Sequence, residues 1–182
     1  MWIKDEEFLR DKVPMTKFHI RTLIMGMLEI KKDDVLLDIG SGTGTISIEG
    51  SLRGGKVFTI DSNPLAVELT KKNSEKFSAN IKVLKGFAPD DLEDLKINKC
   101  FIGGSKGNLE AIFNYLENNL ESNGILVGSF ITLKNLEEFR RLLKKYNYQN
   151  TETILAQISK EDSLGLMKGE NPIFIVKGIK ND

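Results

Sequence analysis

The chain has 182 residues, 40% of them hydrophobic, and its 26 Lys and Arg residues are balanced by 26 Asp and Glu residues. This balance provides no general attraction to nucleic acid, whose binding domains usually carry a basic face, so no nucleic-acid partner is predicted. A single cysteine, Cys100, excludes an internal disulfide and a cysteine-rich metal site, and no metal is predicted. No apolar stretch approaches the ~20 residues of a membrane span, and no signal peptide is recognisable, which predicts a cytoplasmic protein that does not bind membranes.

Strand-like and helix-like segments alternate from Val35 onward, which favours an α/β fold with a parallel sheet and helices on both faces. The apolar periodicity predicts helices near residues 16–29, 44–52, 64–77, 107–120 and 133–146. Short apolar runs predict strands near residues 35–39, 56–60, 81–85, 99–102, 124–130, 152–159 and 173–179. Because no helix separates the last two strands, we expect them to form an antiparallel hairpin around residues 160–172. Residues 1–182 then form one domain, with residues 1–32 as a helical lead-in.

The first predicted strand runs directly into a glycine-rich turn, with the sequence VLLDIGSGTG at residues 35–44. Glycine suits a turn where φ is positive or where the backbone closely approaches a ligand. The helix that follows directs free N–H groups and a partial positive charge toward this turn. A dinucleotide-binding fold has the spacing G-x-G-x-x-G, whereas here the third glycine comes one residue early. This spacing disfavours a nicotinamide-dependent dehydrogenase.

An acid precedes these glycines, and the pattern Asp38-x-Gly40-x-Gly42-x-Gly44 resembles the first motif of class I S-adenosylmethionine (SAM) methyltransferases. The resemblance implies SAM as the cofactor and S-adenosylhomocysteine (SAH) as its product. It also implies cofactor contacts along the motif, at Asp38, Gly40, Ser41, Gly42, Thr43 and Gly44. The alternative is a strand-to-helix turn without a ligand.

A second acid, Asp61, ends the next predicted strand, 23 residues after Asp38. In nucleoside-binding α/β folds an acid near this point accepts hydrogen bonds from the ribose hydroxyls. A carboxylate suits this task because it is an acceptor facing two neighbouring donors. The sequence Asp61-Ser62-Asn63-Pro64 also predicts the start of a helix, so Asp61 has an alternative role as a helix cap.

Four segments carry a closer resemblance, and they occur in the order VPMTK (13–17), DIGSGTG (38–44), FIGGS (101–105) and NPIF (171–174). Together they resemble the decarboxylating precorrin methyltransferases of cobalamin biosynthesis, over nearly the whole chain. The fold implied is the class I methyltransferase fold, with a seven-stranded, mostly parallel sheet and a C-terminal antiparallel hairpin. An Asn/Asp-Pro-Pro-Tyr/Phe run, typical of enzymes that methylate exocyclic amines, does not follow the fourth predicted strand.

The resemblance implies methylation of carbon 15 of precorrin-6B or cobalt-precorrin-6B, coupled to loss of carbon dioxide from the ring C acetate. The substrate is then a tetrapyrrole rich in carboxylates, and the assembly a homotetramer. Further cofactor contacts are implied at Thr16, Ser62, Phe87 and Ala88. Phe87 departs from the family pattern, since an aspartate that bonds the adenine amino group is usual there. Candidate substrate contacts are Lys17, Arg21, Gly103, Gly104 and Ser105.

Methyl transfer from a sulfonium needs alignment of the nucleophile and exclusion of water more than it needs an acid or base. No catalytic residue is therefore predicted, and the only histidine, His19, is interpreted as a residue of a helix surface. Other functions remain open at this point. They are methylation of tRNA, rRNA or another small metabolite, and a SAM-binding module that has lost catalysis.

Overall fold

The computed structural model describes residues 2–181, so Met1 and Asp182, the ends of the predicted domain, lie outside the described residues. A 3-10 helix, Asp5–Glu7, precedes five α-helices: α1 (Phe18–Leu28), α2 (Thr45–Leu52), α3 (Pro64–Lys76), α4 (Leu109–Asn119) and α5 (Leu133–Lys145). The strands are β1 (Val35–Ile39), β2 (Lys56–Asp61), β3 (Ile81–Lys85), β4 (Ile97–Ile102), β5 (Leu120–Phe130), β6 (Gln149–Ala156), β7 (Ser159–Glu161), β8 (Met167–Gly169) and β9 (Ile173–Ile179).

Seven strands form one sheet in the order β3-β2-β1-β4-β5-β9-β6. The first five of these run parallel, while β9 is antiparallel to both of its neighbours, β5 and β6. The predicted α/β fold with a mostly parallel sheet and an antiparallel C-terminal pair is confirmed. Within residues 2–181, no helix is long and apolar enough to cross a membrane.

The structure differs from the prediction mainly between β6 and β9. The sixth strand ends at Ala156 rather than at residue 159, and the connection contains the separate two-stranded sheet β7–β8. At the other end, helix α1 begins at Phe18, because Lys17 has an extended backbone (φ −69°, ψ 159°). Within residues 2–32, the described part of the expected helical lead-in, only the 3-10 helix and α1 are helical.

Side chains on successive residues of β1 enter two different cores, one on each face of the sheet. Leu37 and Ile39 join a buried cluster with residues of α4 and α5. Leu36 joins a second buried cluster with residues of α1 and α2, and Asp38 faces the same side, where Ser47 of α2 donates to it. Strand alternation thus directs the Asp38 side chain to the same face of the sheet as Leu36, directly before the glycine-rich turn.

Residues 2–17, the N-terminal segment, are bound to the domain through Arg21 of α1. The fully buried Arg21 guanidinium donates to Asp5 Oδ1 (3.1 Å), to the Thr16 carbonyl (3.1 Å) and to the Ile3 carbonyl. Its Nε lies 3.4 Å from Oε1 of Glu49, which is also fully buried. The two carboxylate neighbours balance the charge of this buried cation, and its two terminal nitrogens donate to three acceptors, whereas Nε has no hydrogen-bond partner. These bonds and the ion pairs hold residues 2–17 against α1.

A second anchor of the N-terminal segment is Asn73 of α3, which is also fully buried. Its Oδ1 accepts the N–H of Leu9 (2.8 Å), and its Nδ2 donates to the carbonyls of Leu9 (3.0 Å) and Thr43 (3.0 Å). One amide therefore joins the N-terminal segment to the glycine-rich turn. The two segments keep a fixed relative position through this side chain.

Candidate functional site

One cavity of about 650 Å³ opens at the carboxyl ends of the parallel strands. Its lining comes from the ends of β1, β2, β4 and β5, the turns after β3 and β4, the N-terminal segment and the start of β9. In open α/β sheets ligands bind at this edge, and the volume lies within the roughly 300–1,000 Å³ typical of small-molecule sites. Among the described residues, no group of three or more His, Cys, Asp or Glu side chains is placed to hold a metal ion.

The glycine-rich loop, Gly40–Gly44, lies between two other backbone segments of the protein. Gly40 and Gly42 have φ of +82° and +55°. A Cβ on Gly40 would lie 2.6 Å from the nitrogen of Gly104, and a Cβ on Gly42 would lie 2.5 Å from the carbonyl oxygen of Pro14. The sequence argument gave positive φ and a close ligand as the two reasons for these glycines. The positive φ is confirmed, and the closest neighbours are protein backbone. The loop is thus clamped before any ligand arrives.

The predicted cofactor residues divide into two sets. Eight line the cavity, namely Thr16, Gly40, Ser41, Gly42, Asp61, Ser62, Phe87 and Ala88. Asp38, Thr43 and Gly44 do not belong to its lining. Asp38 and Thr43 are buried, and Gly44 is the residue that precedes α2. Thr43 and Gly44 are the last two residues of the glycine-rich loop, and Asp38 belongs to the strand that leads into it.

The carboxylate of Asp61 connects the end of β2 to the glycine-rich loop. Its Oδ2 accepts the N–H of Gly42 (3.0 Å), and its Oδ1 accepts the N–H of Asn63 (2.9 Å). The helix cap of α3 is Asn63, whose Oδ1 accepts the N–H of Leu65 (3.0 Å). Since each carboxylate oxygen has more than one lone-pair site, Asp61 retains acceptor capacity toward the cavity.

Asp38 lies beneath the loop in a fully buried position. Burial raises its pKa to about 7, and the nearby negative charge of Asp61 acts in the same direction, while hydrogen bonds from Ser47 oppose the shift. The Ser47 hydroxyl donates to Oδ2 at 2.5 Å, whereas Oδ1 is buried without a hydrogen-bond partner. The carboxyl group therefore changes its charge near neutral pH, directly below the cavity floor.

The turn after β3 presents an aromatic ring and a backbone donor to the cavity. Phe87 is 53% exposed, and its N–H is bonded to Oδ2 of Asp91 (2.8 Å). No acceptor among residues 2–181 takes the N–H of Ala88. The turn therefore offers a ring that can stack on a planar ligand, next to an available N–H.

Four of the five candidate substrate residues also line the cavity, namely Lys17, Gly103, Gly104 and Ser105. No atom lies within 4 Å of a Cβ built on Gly104, so this residue faces open space. Arg21 is the exception, because its guanidinium is fully buried against Asp5 and Glu49 and does not reach the cavity. His19 is exposed on α1 and is likewise not part of the lining.

Several cavity residues were not singled out as candidates from the sequence, among them two polar residues before β9. Glu170 and Asn171, which precede β9, line the cavity beside the N-terminal segment. Asn171 lies within the fourth resembling segment, and this was the one available signal. The residues around Glu170 form no motif that indicates its role, because its partner Lys17 is distant in the sequence.

The sheet order, the glycine-rich loop after β1 and the acid at the end of β2 are those of a class I methyltransferase fold. Within this class, the chain belongs to the precorrin methyltransferase domain family, which it matches over residues 6–179. The resemblance noted from the sequence is therefore confirmed.

Two curated relatives and one solved structure illustrate this similarity. The probable cobalt-precorrin-6B C(15)-methyltransferase (decarboxylating) of Saccharolobus solfataricus is 38% identical, over 98% of this chain and 95% of the relative. The cobalt-precorrin-6B C(15)-methyltransferase (decarboxylating) of Salmonella typhimurium is 35% identical, over 96% of this chain and 94% of the relative. The crystal structure of precorrin-6y C5,15-methyltransferase from Geobacter metallireducens has a TM-score of 0.92 at 32% identity, covering 98% of this chain and 97% of that one.

Proposed function

We propose that this protein transfers a methyl group from SAM to carbon 15 of cobalt-precorrin-6B and removes the carboxyl group of the ring C acetate. The observation that carries the proposal is that segments distant in the sequence meet at one cavity. The four segments of the resemblance, far apart in the sequence, all contribute residues to the lining of one cavity, represented by Thr16, Gly42, Gly104 and Asn171. This reaction is also the one named for the relatives from Saccharolobus solfataricus and Salmonella typhimurium.

The cofactor side of the cavity fits SAM in its polar groups. Asp61 accepts hydrogen bonds from the ribose hydroxyls, the Ala88 N–H donates to the adenine ring, and Phe87 packs on the ring face. N–H groups at the start of α2 surround the amino-acid end. SAM itself supplies a methyl group already activated by the positively charged sulfur. The protein residues orient it and exclude water.

The acceptor side fits a flat, anionic macrocycle. Gly103 and Gly104 leave room for a planar molecule close to the backbone, and Lys17 and Lys106 line the same part of the cavity. Lysine ammonium groups pair with carboxylates as point charges. Loss of carbon dioxide from the acetate is driven by the electron-poor macrocycle, so no lysine Schiff base and no metal is assigned to the protein.

The test combines cofactor binding with the mass of the product. SAM and SAH should bind with micromolar affinity in calorimetry, and cobalt-precorrin-6B should yield a product that has gained one methyl group and lost one carbon dioxide. Binding without this mass change would contradict the proposed acceptor and leave the methyltransferase class intact. The same assay with metal-free precorrin-6B shows whether cobalt is required.

We further propose a homotetramer in the cytoplasm, as the family resemblance implies. Support for self-association comes from the β7–β8 hairpin and its turn, where Leu164, Leu166 and Met167 are 80%, 60% and 66% exposed. Exposed apolar side chains in such a group are typical of an interface. Light scattering coupled to size-exclusion chromatography measures the subunit number directly, and a monomer at micromolar concentration would refute the assembly.

A further inference from the structure

An ion pair joins two walls of the cavity at its mouth. Nζ of Lys17, from the N-terminal segment, lies 2.8 Å from Oε1 of Glu170, from the segment between β8 and β9. Both residues belong to the cavity lining. Their side chains are 50% and 26% exposed, so the pair remains in contact with water.

The backbones on both sides of this ion pair are held by hydrogen bonds. The N–H of Glu170 donates to the carbonyl of Ile158 (2.8 Å), and its own carbonyl accepts from Nε2 of Gln157 (2.8 Å). The carbonyl of Lys17 accepts the N–H of Arg21 (2.8 Å), and Arg21 also bonds the carbonyl of Thr16. The two side chains therefore extend from fixed positions, and only their own rotamers must change when the pair opens.

Few charged side chains line the cavity, so the partner of each one can be examined. Lys17, Asp61, Lys106 and Glu170 are the acidic and basic residues of its lining. Asp61 already accepts two backbone N–H groups, whereas Glu170 directs its carboxylate to Lys17. A half-exposed Lys–Glu pair contributes at most about 1 kcal/mol and is screened by salt, so another carboxylate can replace Glu170 at low cost.

On the basis of the proposed polycarboxylate substrate, we propose that Glu170 is an internal competitor for Lys17. Its carboxylate occupies the lysine until a carboxylate of the acceptor displaces it. An uncharged planar molecule carries no carboxylate that could replace Glu170, so the Lys17–Glu170 ion pair stays intact in its presence. Lys17 and Glu170 together then select anionic acceptors.

The proposal predicts opposite effects for the two partners. Uroporphyrin, a tetrapyrrole with eight carboxylates, serves as the probe in a fluorescence titration of the SAH-bound protein. Glu170→Gln removes the competitor and one negative charge, so uroporphyrin should bind about two- to fivefold more tightly. Lys17→Met removes the cation, so uroporphyrin should bind about five- to tenfold more weakly.

A double-mutant cycle shows whether Glu170 acts through Lys17. In the Lys17→Met background, Glu170→Gln should change uroporphyrin affinity far less than in the wild type, because the competition no longer exists. Glu152→Gln and Lys160→Met make the same charge changes at exposed positions outside the cavity, and both should leave the affinity unchanged. Thermal unfolding and SAH titration of each variant show that fold and cofactor site are intact.

Several outcomes would overturn the inference. They are weaker or unchanged uroporphyrin binding in Glu170→Gln, an undiminished Glu170→Gln effect in the double variant, and a wild type that does not bind uroporphyrin. Product formation from cobalt-precorrin-6B is scored separately by mass. If the product forms but Glu170→Gln does not bind uroporphyrin more tightly, the inference fails and the proposed reaction stands. If the opposite shifts appear without product, the reaction fails and the inference stands.

Discussion

The two sides of the cavity are built in different ways. On the cofactor side, the glycine-rich loop is clamped by backbone, with Gly40 against Gly104 and Gly42 against Pro14, and Asp61 is held by two N–H groups. At the proposed acceptor site, two long and partly solvated side chains, Lys17 and Glu170, form an ion pair. The first arrangement preorganises a site for one invariant ligand, and the second is easily exchanged when a large anion enters.

The largest expected effect comes from breaking the clamp with Gly42→Ala. Alanine at φ +55° costs about 1–2 kcal/mol, and its Cβ would also collide with the carbonyl of Pro14. We expect SAH affinity to fall about a hundredfold and the free energy of unfolding to fall by about 3 kcal/mol, measured by calorimetry and chemical denaturation. Gly26→Ala is the matched control, because no atom lies within 4 Å of its Cβ, and it should be neutral or stabilising. Equal behaviour of the two variants would contradict the clamp.

The next effect concerns the buried acid below the clamp. Burial raises the pKa of Asp38 from 3.8 to about 7, so the folded protein keeps this proton in a pH range where the unfolded chain has lost it. The stability that the neutral acid contributes is complete below about pH 4 and is lost as the pH rises toward 7.

Asp38→Asn cannot ionise, so its free energy of unfolding should rise relative to that of the wild type by about 2–3 kcal/mol between pH 5 and pH 7. Urea denaturation at several pH values measures this difference. Asp94→Asn, at an exposed position before β4, is the control and should follow the wild-type pH dependence. Parallel curves for Asp38→Asn and the wild type would show that Asp38 is ionised throughout.

A smaller effect is expected at the ribose acceptor. Asp61→Ala removes the proposed acceptor of the two ribose hydroxyls and releases the N–H groups of Gly42 and Asn63. SAH affinity should fall by about 1–2 kcal/mol, or about five- to thirtyfold, in calorimetry. Asp61→Asn keeps one acceptor oxygen and should lose less. Unchanged affinity in Asp61→Ala would place the ribose elsewhere.

The smallest effect is expected at Phe87. Its side chain is exposed, in contrast to the backbone-clamped glycine-rich loop at the same proposed cofactor site. Phe87→Ala removes a ring that packs on adenine and should weaken SAH binding by about 1 kcal/mol, or about fivefold. Phe87→Tyr keeps the ring face and should bind SAH like the wild type. Tighter SAH binding in Phe87→Ala would show that the ring blocks the adenine site.

Much of the fold was predictable because its signals are local. The buried run at residues 35–39 and the glycines after it are read directly from neighbouring positions, and the structure has a strand and a turn there. The β7–β8 hairpin was not predicted, since its strands are three residues long, fully exposed and without apolar alternation. The family was predictable for a related reason, because its four segments are continuous in sequence.

The role of single charged residues was harder to predict. Arg21 was expected to reach the substrate, but it is buried by Asp5 and Glu49, which lie 16 residues before it and 28 residues after it. Glu170 was not singled out because its partner is Lys17. In both cases the ion-pair partner of a charged side chain is a residue that only the fold brings close. The neighbouring sequence does not reveal that partner.

The anchoring of the N-terminal segment has a consequence for the order of folding. During synthesis residues 2–17 are made before their distant partners, among them Gly42, Glu49 and Asn73. The segment cannot dock until α2 and α3 have formed and packed on the sheet. This wall of the cavity is therefore translated before α2 and α3 and becomes ordered only after they have packed. Backbone N–H exchange at Leu9, bonded to a fully buried Asn73 side chain, reports when that step is complete.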